Sequence, residues 1–192
     1  MKTSKLVLVF LLIIFFCCQT NKTKTLSPNI VLFFVDDMGW QDTSVPFWDQ
    51  LTKFNKIYTT PNMKRLASKG VKFTNAYATP VCSPTRVSLM TGMNAARHRV
   101  TNWTLRPDQL KPMELDHPTL NFPKWNFNGI GLDSITPNTV YAKTLPKILS
   151  ENDYYTIHAG KAHFGALGYS SSNPINLGFD INIAGHAAGA PG

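Results

Sequence analysis

An α/β fold is predicted by three consecutive features of the sequence. Residues 29–35, Asn-Ile-Val-Leu-Phe-Phe-Val, form a continuous apolar, β-rich run, the pattern of a strand buried on both faces. Thr60-Pro61 then opens a segment with apolar residues at helical spacing, Met63, Leu66 and Ala67, which Gly70 would end. Val71 to Ala76 reads as a second, shorter strand. Strand, helix and strand in that order predict a βαβ unit and hence an α/β sheet.

The later elements follow the same logic. Arg86 to Met93 is predicted as a helix with Arg86 in its first turn, so that Cys82 precedes the amino terminus, where the helix dipole favours negative charge. Residues 103–138 read as irregular, broken by Pro107, Pro112, Pro118, Pro123 and Pro137. So long a stretch in a compact domain is usually functional or mobile. Its Trp103, Trp125 and Phe127 either line a cleft or pack the loop onto the core. Thr144 to Asn152 has the pattern of an amphipathic helix with Leu145, Ile148 and Leu149 facing in. Tyr154 to Ala159 returns as a strand and leads into Gly160-Lys161-Ala162-His163. No internal repeat or low-complexity segment interrupts this order.

With 192 residues, 43% of them apolar, the chain has material for one sizeable core. Its formal net charge of +8 favours anionic partners through long-range attraction. The lysines are scattered and no nucleic-acid motif occurs, which argues against a nucleic-acid partner. Met-Lys-Thr-Ser-Lys followed by the apolar run Leu6 to Cys18 has the layout of a secretory leader, too short to span a bilayer comfortably. Residues 1–20 are therefore expected to be a signal peptide and 21–28 a linker. The protein would be exported, to a periplasm, the extracellular space or the cell surface. Cys17 and Cys18 raise a lipoprotein signal, and with it a lipid anchor, although Phe15 and Phe16 are bulky for one. Once a leader is removed, Cys82 is the only thiol remaining, so disulfides cannot contribute within this chain.

Three polar groupings carry the chemistry. Asp36-Asp37 closes the first predicted strand, where ligands sit in open α/β sheets. Adjacent carboxylates there either cap the following turn or bind a hard divalent cation. In Cys82-Ser-Pro84-Thr-Arg86, proline stiffens the backbone and a permanent cation stands within a helical turn of the thiol. Read alone, this is a buried cysteine beside a surface arginine, or a site built to hold or attack an anion. Lys161 and His163 form the third grouping. His158 points to the opposite face of its strand and reads as structural. His98 and His117 belong to no motif.

Over residues 80–92, Pro-Val-Cys-Ser-Pro-Thr-Arg-Val-Ser-Leu-Met-Thr-Gly, the chain resembles the first signature of the sulfatases. Gly160-Lys161-Ala162-His163 resembles their second signature, Asp36-Asp37 their first acidic pair, and residues 178–186 a segment leading towards the substrate pocket. The resemblance implies an alkaline-phosphatase-like fold, a mixed and mainly parallel sheet flanked by helices. Residues 29–192 would be the amino-terminal portion of the catalytic domain, leaving the sheet incomplete. It implies a sulfuric ester hydrolase in which Cys82 is oxidised to Cα-formylglycine (3-oxoalanine) by a maturation enzyme and acts as nucleophile. Arg86 would orient it, Lys161 would hold a sulfate oxygen, and His163 would hydrogen-bond the aldehyde hydrate. Asp36, Asp37 and the modified Cys82 would bind calcium, and His186 would contact substrate, a sulfated carbohydrate or an aryl sulfate. The chain departs from the pattern twice. Ala162 stands where an aromatic is usual, and Asp153 where a glycine is expected. No second acidic pair follows, so the chain is expected to be a fragment with little or no activity alone. Two other classes stay open: a phosphonate or phosphate ester hydrolase of the same superfamily, and a non-catalytic secreted anion-binding protein.

Overall fold

Among residues 27–108, 118–119 and 124–189, which the computed structural model describes, the regular elements are short and mixed. In chain order they are α1 (Pro61–Lys69), α2 (Cys82–Thr91), α3 (Ala95–His98), β1 (Ile130–Gly131), β2 (Val140–Tyr141), α4 (Leu145–Ser150), β3 (Ile157–Ala159) and β4 (Ile181–Ile183). Two 3-10 turns, Ser170–Ser172 and Pro174–Leu177, precede β4. The predicted leader with Cys17 and Cys18, most of the linker, and His117 lie outside the described residues. No described helix is long and apolar enough to cross a membrane.

Helix α2 is held at both ends by local chemistry. The Thr85 hydroxyl donates to the Thr79 carbonyl at 3.0 Å and to the Val81 carbonyl at 3.2 Å, fixing the approach to its first turn. Gly92 closes it with φ of 68° and an N–H donated to the Ser88 carbonyl at 2.8 Å, a left-handed cap that glycine adopts without strain. The helix begins at Cys82, four residues earlier than the sequence suggested. Pro84 is tolerated because the first turn of a helix has no intrahelical acceptor for its missing N–H. Arg86 consequently sits in the second turn.

One core supports this helix. Val87 and Met90 of α2 pack with Val100, Ile130, Val140, Ala162, Phe164 and Leu177, all buried. Strands β1 and β2 pair in parallel with Ile130 opposite Val140, and β3 pairs in parallel with β4, Ile157 opposite Ile181. An antiparallel bridge between Gly129 and Gly165, with the Ile130 N–H donated to the Phe164 carbonyl at 3.0 Å, joins β1 to the segment after Lys161. His98 lies beneath α2 and is fully buried. Its Nδ1 accepts from the Val100 N–H at 3.0 Å, so the proton is on Nε2, which donates to Ser88 Oγ at 2.9 Å. Burial lowers its pKa, with a hydrogen bond to the Pro84 backbone opposing.

Parallel strands and helices confirm the α/β class, and α1 lies where the apolar spacing placed it. The βαβ unit itself is not formed. Residues 27–35 belong to a separate unit from those beginning at Asp36, and the apolar run within it is not a strand; Phe33 is 88% exposed. Residues 71–76 form no strand either, and Phe73 is 75% exposed. A buried parallel strand needs ladder partners and a layer on each face. Composition states that such a run favours burial, but only neighbours can provide it, and the two described ladders include neither segment. In α4, Ile148 is exposed rather than inward, and Pro146 is the buried residue. Among its described residues, the irregular stretch 103–138 contains one exception, β1.

Candidate active site

Cys82 and Arg86 are four residues apart on α2 and so share a face, about 5–6 Å between their β-carbons in ideal geometry. Cys82 is a half-buried free thiol. The Arg86 side chain is 6% exposed and reaches two segments distant in sequence. Its Nη2 donates to Asp36 Oδ1 at 3.2 Å, and its Nη1 donates to the Lys161 carbonyl at 2.6 Å. The Lys161 ammonium binds the other Asp36 oxygen. Segments 50 and 125 residues apart thus meet at one carboxylate. Partial burial pushes the Asp36 pKa up. Hydrogen bonds from Lys161 and Arg86, together with their charges, outweigh it and hold the carboxyl below its usual range.

His163 stands between the core residues Ala162 and Phe164 and is itself buried, with φ of 53°. Left-handed backbone at a non-glycine residue is uncommon and concentrates at functional sites. Asp37 has the same φ of 53°, and Asp153, where the motif expects glycine, has 64°. Aspartate tolerates that region better than most side chains, which reconciles the substitution with the backbone it must adopt.

The ring of His163 has a defined tautomer. Nε2 bonds the Thr104 carbonyl, which can only accept, so Nε2 carries the proton and Nδ1 is an acceptor in the neutral ring. That Nδ1 is buried without a partner. Burial lowers the His163 pKa; the Thr104 hydrogen bond opposes this, the charges of Lys161 and Arg86 reinforce it, and Asp36 offsets part of it. The Thr104 N–H in turn donates to Ser83 Oγ at 3.0 Å. Residue 104 therefore straps the turn carrying Cys82 to the imidazole. His186 is adjacent, its carbonyl accepting from the His163 N–H at 3.1 Å. Its Nδ1 accepts from the Ala188 N–H at 3.0 Å, which leaves a proton on Nε2, and that donor is also buried without a partner. Buried polar atoms are almost always paired, so each of these two nitrogens calls for a polar partner, a water or a ligand atom. Gly189 abuts the first: a β-carbon there would stand 3.2 Å from the His163 ring and 3.5 Å from Lys161 Nζ.

The site therefore joins Asp36, Arg86, Lys161, His163 and His186, with Cys82 one turn from Arg86. Asp37 is exposed and makes no hydrogen bond or ion pair among the described residues. His158 packs edge-on against Phe164 and Phe179 at 5.5 and 5.2 Å between ring centroids and meets Asn182 at 3.3 Å, matching its structural reading. Burial lowers its pKa as well; the bonds to Asn182 and to the Lys161 backbone oppose, and Arg86 reinforces. Ser83 and Thr104 carry no signal in the sequence that marks them for this site. Ser83 is hidden inside the cysteine motif, and Thr104 acts through its backbone, which leaves no residue-type signal.

Calcium typically takes about six to eight oxygens. Both Asp36 oxygens already face cations, and no group of three or more acidic, cysteine or histidine side chains clusters among the described residues. Two carboxylates are a partial donor set and do not make a calcium site by themselves.

The sulfatase family model matches residues 28–190. A sulfatase of Formosa agariphila is 33% identical over 187 residues, covering 96% of this chain and 32% of that protein. Mouse arylsulfatase G is 32% identical over 162 residues, 84% of this chain and 24% of its own length. Human steryl-sulfatase is 30% identical over 174 residues, 88% and 25% respectively. The chain thus spans a third or less of these relatives. The match runs through every element that builds the cluster, and on that ground the chain belongs to the sulfatase family.

Proposed function

We propose that the protein hydrolyses a sulfate ester with Cys82, oxidised to Cα-formylglycine by a separate maturation enzyme, as the nucleophile. The observation that supports this best is the meeting of Arg86 and Lys161 at Asp36, with the unpartnered His163 Nδ1 close to Lys161 and its ring tied through residue 104 to the turn bearing Cys82. One hydroxyl of the hydrated aldehyde attacks sulfur, and the ester alcohol leaves with a proton. The second hydroxyl then gives up its proton, the carbon–oxygen bond to sulfate breaks, and the aldehyde re-forms and takes up water. An ordinary serine would stop at a stable sulfate ester, whereas the geminal diol carries its own means of release.

Arg86 offsets the charge of the attacking oxygen and orients it. Lys161 holds a sulfate oxygen, His163 Nδ1 accepts from the hydrate, and the His186 Nε2–H donates to sulfate. Placed donors and charges of this kind are often the largest catalytic contribution. Asp36, Asp37 and the modified residue 82 are proposed ligands of a calcium ion, which would supply further positive charge. The remaining oxygens would come from water or from other parts of the full-length protein, and no step here depends on the ion. Residues 29–192 are proposed as the amino-terminal portion of an alkaline-phosphatase-like catalytic domain, its main sheet parallel and flanked by helices. Residues 1–20 are proposed as an export signal, with lipid attachment at Cys17 or Cys18 as a variant of it.

The test is hydrolysis of para-nitrophenyl sulfate by full-length protein from a host that matures sulfatases. Turnover that disappears in Cys82→Ala supports the reading. Faster turnover of the matched phosphonate ester would move the activity to that class, and an unmodified thiol with no turnover would favour an anion-binding role.

A further inference from the structure

The residues that immediately follow Asp37 open onto a second feature. Met38 and Gly39 begin the wall of a cleft of about 730 Å³ formed between residues 38–49 and 73–77. That volume falls in the usual range for a small-molecule site, roughly 300–1,000 Å³. Five aromatic side chains line it: Trp40, Phe47, Trp48, Phe73 and Tyr77. Four of them are open to solvent, Trp48 being 64% and Tyr77 92% exposed, while Phe47 is half-buried. Large aromatics are normally well buried, and a contiguous exposed group of them marks a binding surface.

The geometry of the two indoles limits what can bind. Their centroids are 6.3 Å apart with an interplanar angle of 31°. A ring sandwiched between them would need about 7 Å, two contacts of about 3.5 Å each. The pair is therefore too close for a slot that closes on both faces of a ring, which leaves an open aromatic wall. Such a wall suits the C–H face of a pyranose, whose polarised hydrogens meet the negative face of the indole. The polar lining points the same way. Asp49 is the one carboxylate in the lining of the cleft, which also includes Thr74 and Asn75. A carboxylate accepts from hydroxyls and repels a second anion, so the ring it fits carries free hydroxyls near it and no sulfate there. The Lys72 ammonium stands against the same wall, bonding the Pro46 carbonyl and lying 5.7 Å from the Phe47 centroid.

We propose that this cleft is a saccharide subsite, holding a hydroxyl-bearing pyranose ring of the substrate while the Arg86–Lys161 cluster grips its sulfate. The proposal rests on the sulfate-ester reading above and narrows it: the substrate is a sulfated saccharide, and the ring beside Trp40 and Trp48 is uncharged on the face towards Asp49. The small aryl sulfates engage the cluster alone and leave the cleft empty.

The test uses full-length, matured protein and a panel of monosulfated hexopyranosides and disaccharides, with para-nitrophenyl sulfate and a steroid sulfate as comparators. The best saccharide should outperform both comparators in kcat/KM. In Trp40→Ala or Trp48→Ala its kcat/KM should fall at least about tenfold further than that of para-nitrophenyl sulfate, equivalent to about 1.4 kcal/mol. Trp40→Phe should recover most of the loss, and Asp49→Ala should raise the saccharide KM more than Asp49→Asn. Binding of the same saccharides should quench tryptophan fluorescence in the wild type and lose that effect in Trp40→Ala. A best substrate with an aryl or steroid ring, or an equal loss on all substrates, overturns the assignment. If no sulfate ester of any kind is hydrolysed, the catalytic reading fails instead, and the fluorescence titration still decides the cleft: quenching by the saccharides upholds it, and no quenching sinks it.

Discussion

Asp36 offers the sharpest energetic test of the site, because one carboxylate neutralises two cations brought from distant segments. Removing one partner of a buried ion pair costs about 3–5 kcal/mol, since the other charge is left uncompensated. The Asp36 side chain is 31% exposed, and the Arg86 and Lys161 side chains 6% and 16%, so water screens part of the interaction. An expected cost of about 2–3 kcal/mol for Asp36→Ala follows. Asp36→Asn keeps an acceptor and should lose roughly half as much. Urea unfolding followed by tryptophan fluorescence measures both, as a shift in midpoint at constant slope. The double variant Asp36→Ala/Lys161→Ala should be more stable than the sum of its parts by about 1 kcal/mol, because the single aspartate change already strands the lysine. A loss under about 0.5 kcal/mol for Asp36→Ala, or strict additivity, would refute the reasoning.

The pKa shifts set a pH window. His98, His158 and His163 are all lowered from 6.5, so above that value both folded and unfolded states are neutral at these positions. As pH falls from 6.5 towards the lowered folded values, only the unfolded chain takes up protons, and stability should decline. Asp36, lowered from 3.8, adds a contribution that is complete above 3.8 and lost as pH falls through its folded value. A flat denaturation midpoint between pH 7 and about pH 5 would contradict the buried-histidine account. Gly129→Ala should destabilise by more than about 1 kcal/mol, for φ is 84° and the new β-carbon would clash with the Phe164 carbonyl. Ser83→Ala should cost about 1–3 kcal/mol by orphaning the buried Thr104 N–H, and should lower kcat more than a remote change of equal cost. Calcium titration of the 192-residue chain should show weak binding without tight saturation, since two carboxylates fall short of the six to eight oxygens typical of the ion.

The parts of the molecule legible in the sequence are those specified locally. Helix α1 is announced by Thr60-Pro61 and Gly70, the turn into α4 by Thr144, and the cysteine motif by its own spacing. Lys161 and His163 are marked by a motif, and Lys161 lies against Arg86 and Asp36. What failed depends on neighbours. The runs at 29–35 and 71–76 have strand composition, yet a strand exists only where another backbone completes its ladder. The start of α2 was missed because proline is a breaker inside a helix and harmless in its first turn. Thr104 contributes a carbonyl, which every residue possesses. The aromatic wall of Trp40 and Trp48 depends on two side chains eight positions apart in irregular chain, where no periodicity signals their meeting.

The central claim is that residue 82 is the nucleophile, and the mass of the peptide spanning it, taken from active full-length protein, tests that claim most directly. The account predicts a side chain that has lost its sulfur and two hydrogens and gained one oxygen, with sulfate-ester turnover proportional to the converted fraction. An intact thiol in fully active protein would contradict it.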